Sequence, residues 1–408
     1  MSSRVAHVNH RPAIESLSAS CVVVIIHIIP DSLYSDTGVE QFRRFSNDEN
    51  RCIVVGAPRQ LSFIKGKVEF VDPNSVARYI NETGATAVIV HKLTDVVTRQ
   101  IPRVAKRVII VWIPWGQDYQ ALLFKNRAKE KNLLPLSFDY FARSSSQKNK
   151  ESKTVIQRIK RAIGQKTGFY QWRTKRGLRR VNLFLSGIPQ ETNAIRAANP
   201  WFVPEIMHWG YPHAEIKLDA SESVEFGRDI MLGNSGSITN NHADGFDFIQ
   251  RYVEIENRRI VTPLSYGSVA YRDWVEMQGR EIFPSQFEPI REVLPRDKYH
   301  SLMNSCGHAF FFHCRQEAVG NILVRLFRGA RIYMLQRNPL YVWLRDSGAI
   351  VSSLEEIQEE CQRSSERWRL NSLTQIEREI NRNVVLNVWG QDLIDSSTRA
   401  VLNRISRG

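Results

Sequence analysis

Hydrophobic and polar positions alternate along this chain in two successive series. Up to residue 218, short runs that are apolar over their whole length and rich in β-branched residues are separated by stretches with helical spacing. The runs predict strands at Val22–Ile29, Cys52–Val55, Val68–Val71, Ala87–His91, Arg107–Ile113 and Val181–Ser186, with helices near Gly38–Phe45 and Asn74–Glu82. A run apolar at every position is buried on both faces, which is the pattern of a parallel sheet covered by helices on each side. A second series predicts strands at Asp229–Leu232, Arg258–Val261, His308–His313, Ala330–Leu335 and Ala349–Val351, again with helices between. The tail from Leu354 to Arg407 reads as amphipathic helix without strand signals. The fold class predicted is α/β, with two doubly wound Rossmann-like domains facing each other across a cleft. Ligands in such folds lie beyond the carboxyl ends of the strands. The predicted domains are 1–218 and 219–384, followed by a helical tail, 385–408.

Composition changes this picture in three places. A chain of 408 residues is too long for one ordinary core, which supports two domains. The five cysteines (Cys21, Cys52, Cys306, Cys314, Cys361) are odd in number and far apart, so free thiols in a reducing compartment are expected. The longest apolar runs, Cys21–Ile29 and Val108–Trp115, are about half the ~20 residues that span a bilayer, and no signal-peptide pattern opens the chain.

The net charge of +14 is concentrated. Between Arg143 and Arg180 thirteen Lys and Arg face a single acid, Glu151. Inside that stretch Val155, Ile156, Ile159, Ala162 and Ile163 fall at helical spacing, flanked by Lys153, Arg158, Lys160 and Arg161. Phe169, Tyr170 and Trp172 follow, then Arg173, Lys175 and Arg176. A basic amphipathic helix with aromatics beside it suits an anionic membrane surface, nucleic acid attracts the same charge, and a solvated linker face needs no partner.

Candidate chemistry gathers at predicted strand ends. Leu232-Gly233-Asn234-Ser235-Gly236, with Asn240 and His242 after it, reads as a strand, a tight turn and a helix start. Unpaired N–H groups at such a start can seat a diphosphate, and a turn capped by its own Asn and Ser would bind nothing. Arg315, Gln316, Glu317, Gly320 and Asn321 open another helix after a strand, where Arg315 can pair with phosphate and Glu317 can accept sugar hydroxyls. An ordinary first turn with a dipole-favoured acid would look the same. Tyr266 and Asn338 end two further strands of this half. In the first half Asp118 closes the strand Arg107–Ile113 and is the preferred general base, with Asp31 the second candidate. Capping of the next helix is the plain alternative for Asp118. His27, inside an apolar strand, reads as a core residue. Gly-x-Gly-x-x-Gly, Walker A and Gly-x-Ser-x-Gly motifs are missing, and so are Asp-x-Asp and His-Glu-x-x-His, so neither Mg²⁺ nor zinc is expected.

These landmarks, in this order, resemble the bacterial 4-acetamido-4,6-dideoxy-D-galactose (Fuc4NAc) transferases, glycosyltransferase family 56, over most of the chain. Ile25-Ile26-His27-Ile28 with Phe42-Arg43-Arg44-Phe45 is similar to the family's opening strand and helix, and Trp115-Gly116-Gln117-Asp118 to its Trp-Gly-x-Asp element. Gly233-Asn234-Ser235-Gly236 with Asn240 and His242 resembles its Gly-Asn-Ser…Asn-x-His loop. Pro263-Leu264-Ser265-Tyr266, Arg315-Gln316 with Gly320, and Asn338-Pro339 resemble further elements. The resemblance implies a GT-B architecture, with an acceptor-binding first domain and a donor-binding second one. The segment Val385–Ser397 would cross back onto the first. It implies a TDP-sugar donor and a polyprenyl-diphosphate-linked acceptor, with no cofactor and no metal. The expected setting is the cytoplasmic face of the bacterial inner membrane, in cell-surface polysaccharide biosynthesis. The basic segment would face anionic lipid, and no nucleic acid is expected. A UDP- or GDP-sugar transferase of the same architecture and a non-catalytic nucleic-acid-binding protein are the alternatives.

Overall fold

The computed structural model describes residues 23–46, 48–124, 131–151, 169–216 and 226–408. Seven strands form the first sheet: β1 (Val24–Ile28), β2 (Glu49–Val55), β3 (Glu69–Val71), β4 (Ala87–His91), β5 (Ile109–Ile113), β6 (Leu183–Leu185) and β7 (Glu205–Met207). Their order is β3-β2-β1-β4-β5-β6-β7, with every neighbouring pair parallel. The second sheet holds β8 (Ile230–Leu232), β9 (Ile260–Pro263), β10 (Phe287–Ile290), β11 (His308–Phe311), β12 (Arg331–Met334) and β13 (Ser352–Ser353). Its order is β10-β9-β8-β11-β12-β13, also parallel throughout.

Period-two alternation explains the all-apolar runs. Along β1 and β4, Ile26, Ile28, Val88 and Val90 enter one core, while Ile25, Ala87 and Ile89 enter the core on the opposite face. In the second sheet Met231, Ala309 and Phe311 face one helix layer, and Ile230, Leu232 and Phe310 face the other. Two strands escaped the sequence reading, β7 and β10. Both are short edge or near-edge strands with half-exposed positions and no apolar run to announce them. The strand expected at Ala349–Val351 pairs instead through Ser352 and Ser353, because Ala349 and Val351 are buried by packing against helices rather than by a ladder.

The tail is helical at Leu354–Ser364, Gln375–Trp389 and Gln391–Ser406, and residues 365–374 interrupt it. Val253 and Trp368 form an isolated bridge there, and Thr374 with Glu377 restarts the helix through a capping box. The chain then crosses between the sheets at Gly390. Trp389 wedges between Gly187 and Gly210, where a Cβ would stand 2.3 and 2.2 Å from the indole ring. Beyond it the last helix docks on the helix Ser35–Arg43, with Gln41 bonded to Asp395 (2.9 Å) and Thr398 (3.1 Å). Trp209 adds an indole bond to Thr398 (3.0 Å). This is the return onto the first domain that the GT-B resemblance implied.

Candidate active site

In both sheets the strand order reverses beside the first strand, so each has one crevice between two carboxyl ends. In the second sheet that crevice lies between β8 and β11. Gly233 turns the chain after β8 with φ +71, a conformation open to glycine, and a Cβ there would stand 2.6 Å from Asn240 Oδ1. The loop consumes its own donors. Gly233 N–H donates to Phe310 O (2.9 Å), Asn234 N–H to Asn240 Oδ1 (2.7 Å) and Gly236 N–H to Tyr266 O (2.8 Å). Asn240 Nδ2 holds Ser235 Oγ at 3.1 Å, and His242 Nδ1 meets the Tyr271 hydroxyl at 3.2 Å. Ser235, Asn240 and His242 are buried beneath the loop. The helix His242–Tyr252 does not start at the cleft either. Residues 132–137 cover it, with Leu134 N–H on Asn241 Oδ1 and both Leu136 and Ser137 N–H on Asp244, each at 3.0 Å. The phosphate seat expected at Gly233–Gly236 is therefore not open there.

The open helix start is the next one. The helix Val319–Arg328 follows β11, has no side-chain cap, and is preceded by Ala318 at φ +59, a strained value for a residue with a Cβ. Its first N–H groups have no partner within the helix. Ala318, Val319, Gly320 and Asn321 line a cavity of about 230 Å³ between the domains, together with Asn234, Tyr266, Gln316 and Glu317. Arg315 supports this turn, pairing with Glu317 at 2.8 Å and donating to Gln316 O at 3.0 Å. Thr239 donates to Glu317 at 2.8 Å, which ties the first loop to the second. Asn338 is not part of the cavity. It is fully buried, caps its own helix through Leu340 N–H (2.9 Å) and donates to His313 O (2.9 Å).

The first sheet presents a different crevice, between β1 and β4. His27 Nδ1 stands 3.0 Å from His91 Nε2, and His91 Nδ1 stands 2.8 Å from the Tyr211 hydroxyl. Burial drives the His27 imidazole down to about 4 and His91 well below its usual value, so both are neutral at physiological pH. Tyr34, Trp115, Tyr211 and His213 form an aromatic wall on this side of the same cavity, with ring centroids about 6 Å apart. Lys92, at φ +71 after β4, lies 5.5 Å over the Trp115 ring.

The two carboxylates expected to act as bases are engaged by N–H groups of the protein itself. Asp118 accepts from Leu93 N–H, Trp112 Nε1–H and Trp115 N–H, each at 2.9 Å, so it clasps the Trp115–Asp118 turn. Asp31 accepts from the N–H groups of Ser62, Phe63 and Ile64, chiefly Ser62, which hold its carboxyl below the usual range. A carboxylate held by three N–H groups has little lone-pair capacity for substrate. His213 is the cavity group that sequence reading missed. It lines the 230 Å³ space and an adjoining one of about 470 Å³, and burial holds its pKa below the usual value while Glu215 raises it. No motif marks it, because its importance comes from facing Gly320 across the domain boundary. Glu191 also crosses that boundary, buried against Tyr119 and the Gln316 backbone, its carboxyl pushed up to about 8 chiefly by burial. Tyr119 donates to Gln316 Oε1 at 2.8 Å.

Lys153, Arg158, Lys160 and Arg161 lie outside the described residues. The helix Phe169–Leu178 carries Trp172, Arg173, Lys175 and Arg176. Lys175 rests over the Trp201 ring at 5.2 Å, and Arg176 is exposed.

Residues 202–375 match the family model described as 4-alpha-L-fucosyltransferase glycosyl transferase group 56. That span includes β8 to β13 and the helix start at Val319. The chain is a glycosyltransferase. Its architecture is GT-B, shared with solved structures of very low sequence identity. Sucrose-phosphate synthase from Thermosynechococcus elongatus superposes with a TM-score of 0.59 at 8% identity, covering 94% of this chain and 99% of that one. The UDP-forming trehalose-phosphate synthase from Burkholderia xenovorans gives 0.59 at 8%, covering 95% and 99%. Anabaena HepE, solved in complex with UDP and glucose, gives 0.57 at 8%, covering 95% and 100%. The non-catalytic nucleic-acid reading is thereby set aside. In this glycosyltransferase the resemblance to group 56 holds over the second domain, the side that carries Arg315–Asn321.

Proposed function

We propose that this glycosyltransferase moves a 6-deoxyhexose of the fucose skeleton, 4-acetamido-4,6-dideoxy-D-galactose by the family resemblance, from a TDP-sugar to a polyprenyl-diphosphate-linked glycan. The observation that carries the reading is the uncapped helix start Val319–Asn321, supported by Arg315 and Glu317, inside the matched span and open to the cleft. Its dipole and free N–H groups favour the donor diphosphate. As the bond from the anomeric carbon to the phosphate oxygen breaks, negative charge grows on the departing TDP, and these groups stabilise it. Glu317 orients sugar hydroxyls. The acceptor hydroxyl oxygen forms the new bond to the anomeric carbon, and its proton passes to a base. Asp118 was the first candidate for that base, but its bonds to Leu93, Trp112 and Trp115 favour His213, a neutral imidazole at the cavity wall.

In this reading the basic segment 143–180 holds the cleft mouth at the anionic cytoplasmic face of the inner membrane, each cation contributing about 1 kcal/mol. Leu33, 70% exposed at the rim of the larger cavity, suits the same surface. Thermal-shift measurements with TDP, UDP and GDP test the donor, since a nucleotide at a hundred times its Kd adds about 2.7 kcal/mol of apparent stability. A preference for TDP is expected, and a response to UDP or GDP alone would overturn it. Transfer onto extracted polyprenyl-linked glycans tests the acceptor, and flotation with anionic vesicles across a salt series tests the membrane face. His213→Gln should lower kcat about 10²- to 10⁴-fold with the nucleotide shift intact.

A further inference from the structure

The hydrogen bonds behind the aromatic wall have only one consistent direction. Asn50 Nδ2 donates to Asp48 O at 2.9 Å, so its Oδ1 faces His27 Nε2 at 2.8 Å. An amide oxygen only accepts, so His27 carries its proton on Nε2 and leaves Nδ1 as a lone pair. His91 must then donate from Nε2 to that lone pair, which leaves His91 Nδ1 bare. Tyr211, 2.8 Å away, therefore donates its hydroxyl proton to His91. Reversing the Tyr211 link alone would set two lone pairs against each other between the histidines, and reversing the histidine link as well would do so at Asn50. The indole of Trp115 can only donate, and its Nε1–H takes one of the two lone pairs on the Tyr211 oxygen at 2.9 Å. One lone pair remains on Tyr211, which lines the cavity.

The fold makes room for this arrangement at a cost. Gly38 sits inside the helix Ser35–Arg43, where glycine is unfavourable by about 1 kcal/mol relative to Ala. A Cβ on Gly38 would stand 2.6 Å from Tyr211 Cε1 and 3.2 Å from His91 Cε1.

We propose that Tyr211 is the acceptor-hydroxyl-binding residue, locked by His91 and His27 into a form that only accepts hydrogen bonds from the ligand. Tyr211 takes a sugar O–H or amide N–H and has no proton to offer the ionised oxygens of a nucleotide-sugar diphosphate, which present only lone pairs. The cleft is thus polarised, with a hydroxyl-selecting wall opposite the anion-selecting helix start at Val319. Tyr211 touches the ligand, and His91 and His27 are positioning residues. The proposal rests on glycosyl transfer only for what fills the cavity. The direction of the chain follows from Asn50 alone.

Long-range proton–nitrogen spectra of the full chain with nitrogen-15 in His and Trp test it. In the wild type His27 and His91 should both be neutral with the proton on Nε2, and a proton on His91 Nδ1 would overturn the proposal without any variant. Adding a free N-acetylhexosamine should move the Trp115 indole and His91 signals in the wild type and far less in Tyr211→Phe. Silence towards neutral sugars, or an equal response in Tyr211→Phe, overturns the assignment. Tyr211→Phe should weaken the apparent sugar affinity about tenfold, as expected for one lost hydrogen bond. His91→Leu frees the tyrosine hydroxyl to turn, so the Trp115 indole should lose its sugar response while the nucleotide thermal shift survives. A purely structural role for His91 predicts that both responses fall together. Failure of the TDP reading would show only in the nucleotide shifts and leave these spectra unchanged.

Discussion

The two sheets share one strand order, and their crevices have opposite chemistry. At the first, between β1 and β4, the polar groups are satisfied inside the protein: Asp118 by three N–H groups, His27 and His91 by each other, Asn50 and Tyr211. At the second, between β8 and β11, a helix start is left without a cap beside an Arg–Glu pair. A doubly wound fold places a crevice. Which groups remain unspent at its edge decides what it can bind.

The comparison can be broken most sharply by acid. His27, His242, His308 and His313 are each held at about 3 to 4, chiefly by burial, against 6.5 for a free imidazole. The unfolded chain binds these protons first, so stability is complete above pH 6.5 and is lost as pH falls towards 4. His27 alone accounts for about 3 kcal/mol. Three of the four lie in the second domain, so tryptophan and circular-dichroism probes in urea should show that domain failing first on acidification. Simultaneous loss would mean that the interface holds the two together.

The donor side comes next. Arg315→Ala leaves Glu317 without its cation and weakens the helix start, so turnover should fall about 10²- to 10³-fold and the nucleotide thermal shift should vanish. A surviving shift would move the donor away from the second crevice. On the first crevice, Asp118→Asn should cost about 2 kcal/mol in urea denaturation, through an acceptor lost beneath bonded N–H groups. Its kcat should remain well above that of His213→Gln. The smallest effect is at the joint between the regions. Glu191, pushed up to about 8 chiefly by burial, keeps its proton in the folded chain at neutral pH while the unfolded chain releases it near 4.5, so stability falls as pH rises from 4.5 and levels off above 8. Glu191→Gln should flatten that fall.

Much of the fold was legible in the chain. β4 was placed residue for residue, and the other apolar runs were located to within a few positions, because burial on both faces leaves a continuous hydrophobic signature. β7 and β10 were not legible, since edge strands need no such run. Of the candidate site residues, Gln316, Glu317, Gly320 and Asn321 line the cavity together with Asn234 and Tyr266, and Arg315 is buried beside it against Glu317. Asn240, His242 and Asn338 turned out to be supports beneath the loops, and Tyr211 and His213 carried no motif at all.

The order of apolar runs and turns thus determined two parallel sheets, a cleft, and the strand ends that face it. Local pattern suffices for that, because strand burial and helix starts are properties of neighbouring residues. Only the tertiary structure decided which groups remain free. Asn240 reaches back to Asn234, residues 132–137 close over the start of His242–Tyr252, and Asp118 turns to Leu93 and Trp112. His27 meets His91 across 64 residues of chain. A donor or acceptor is available to a ligand only when no distant partner has taken it, and that depends on contacts no local pattern contains.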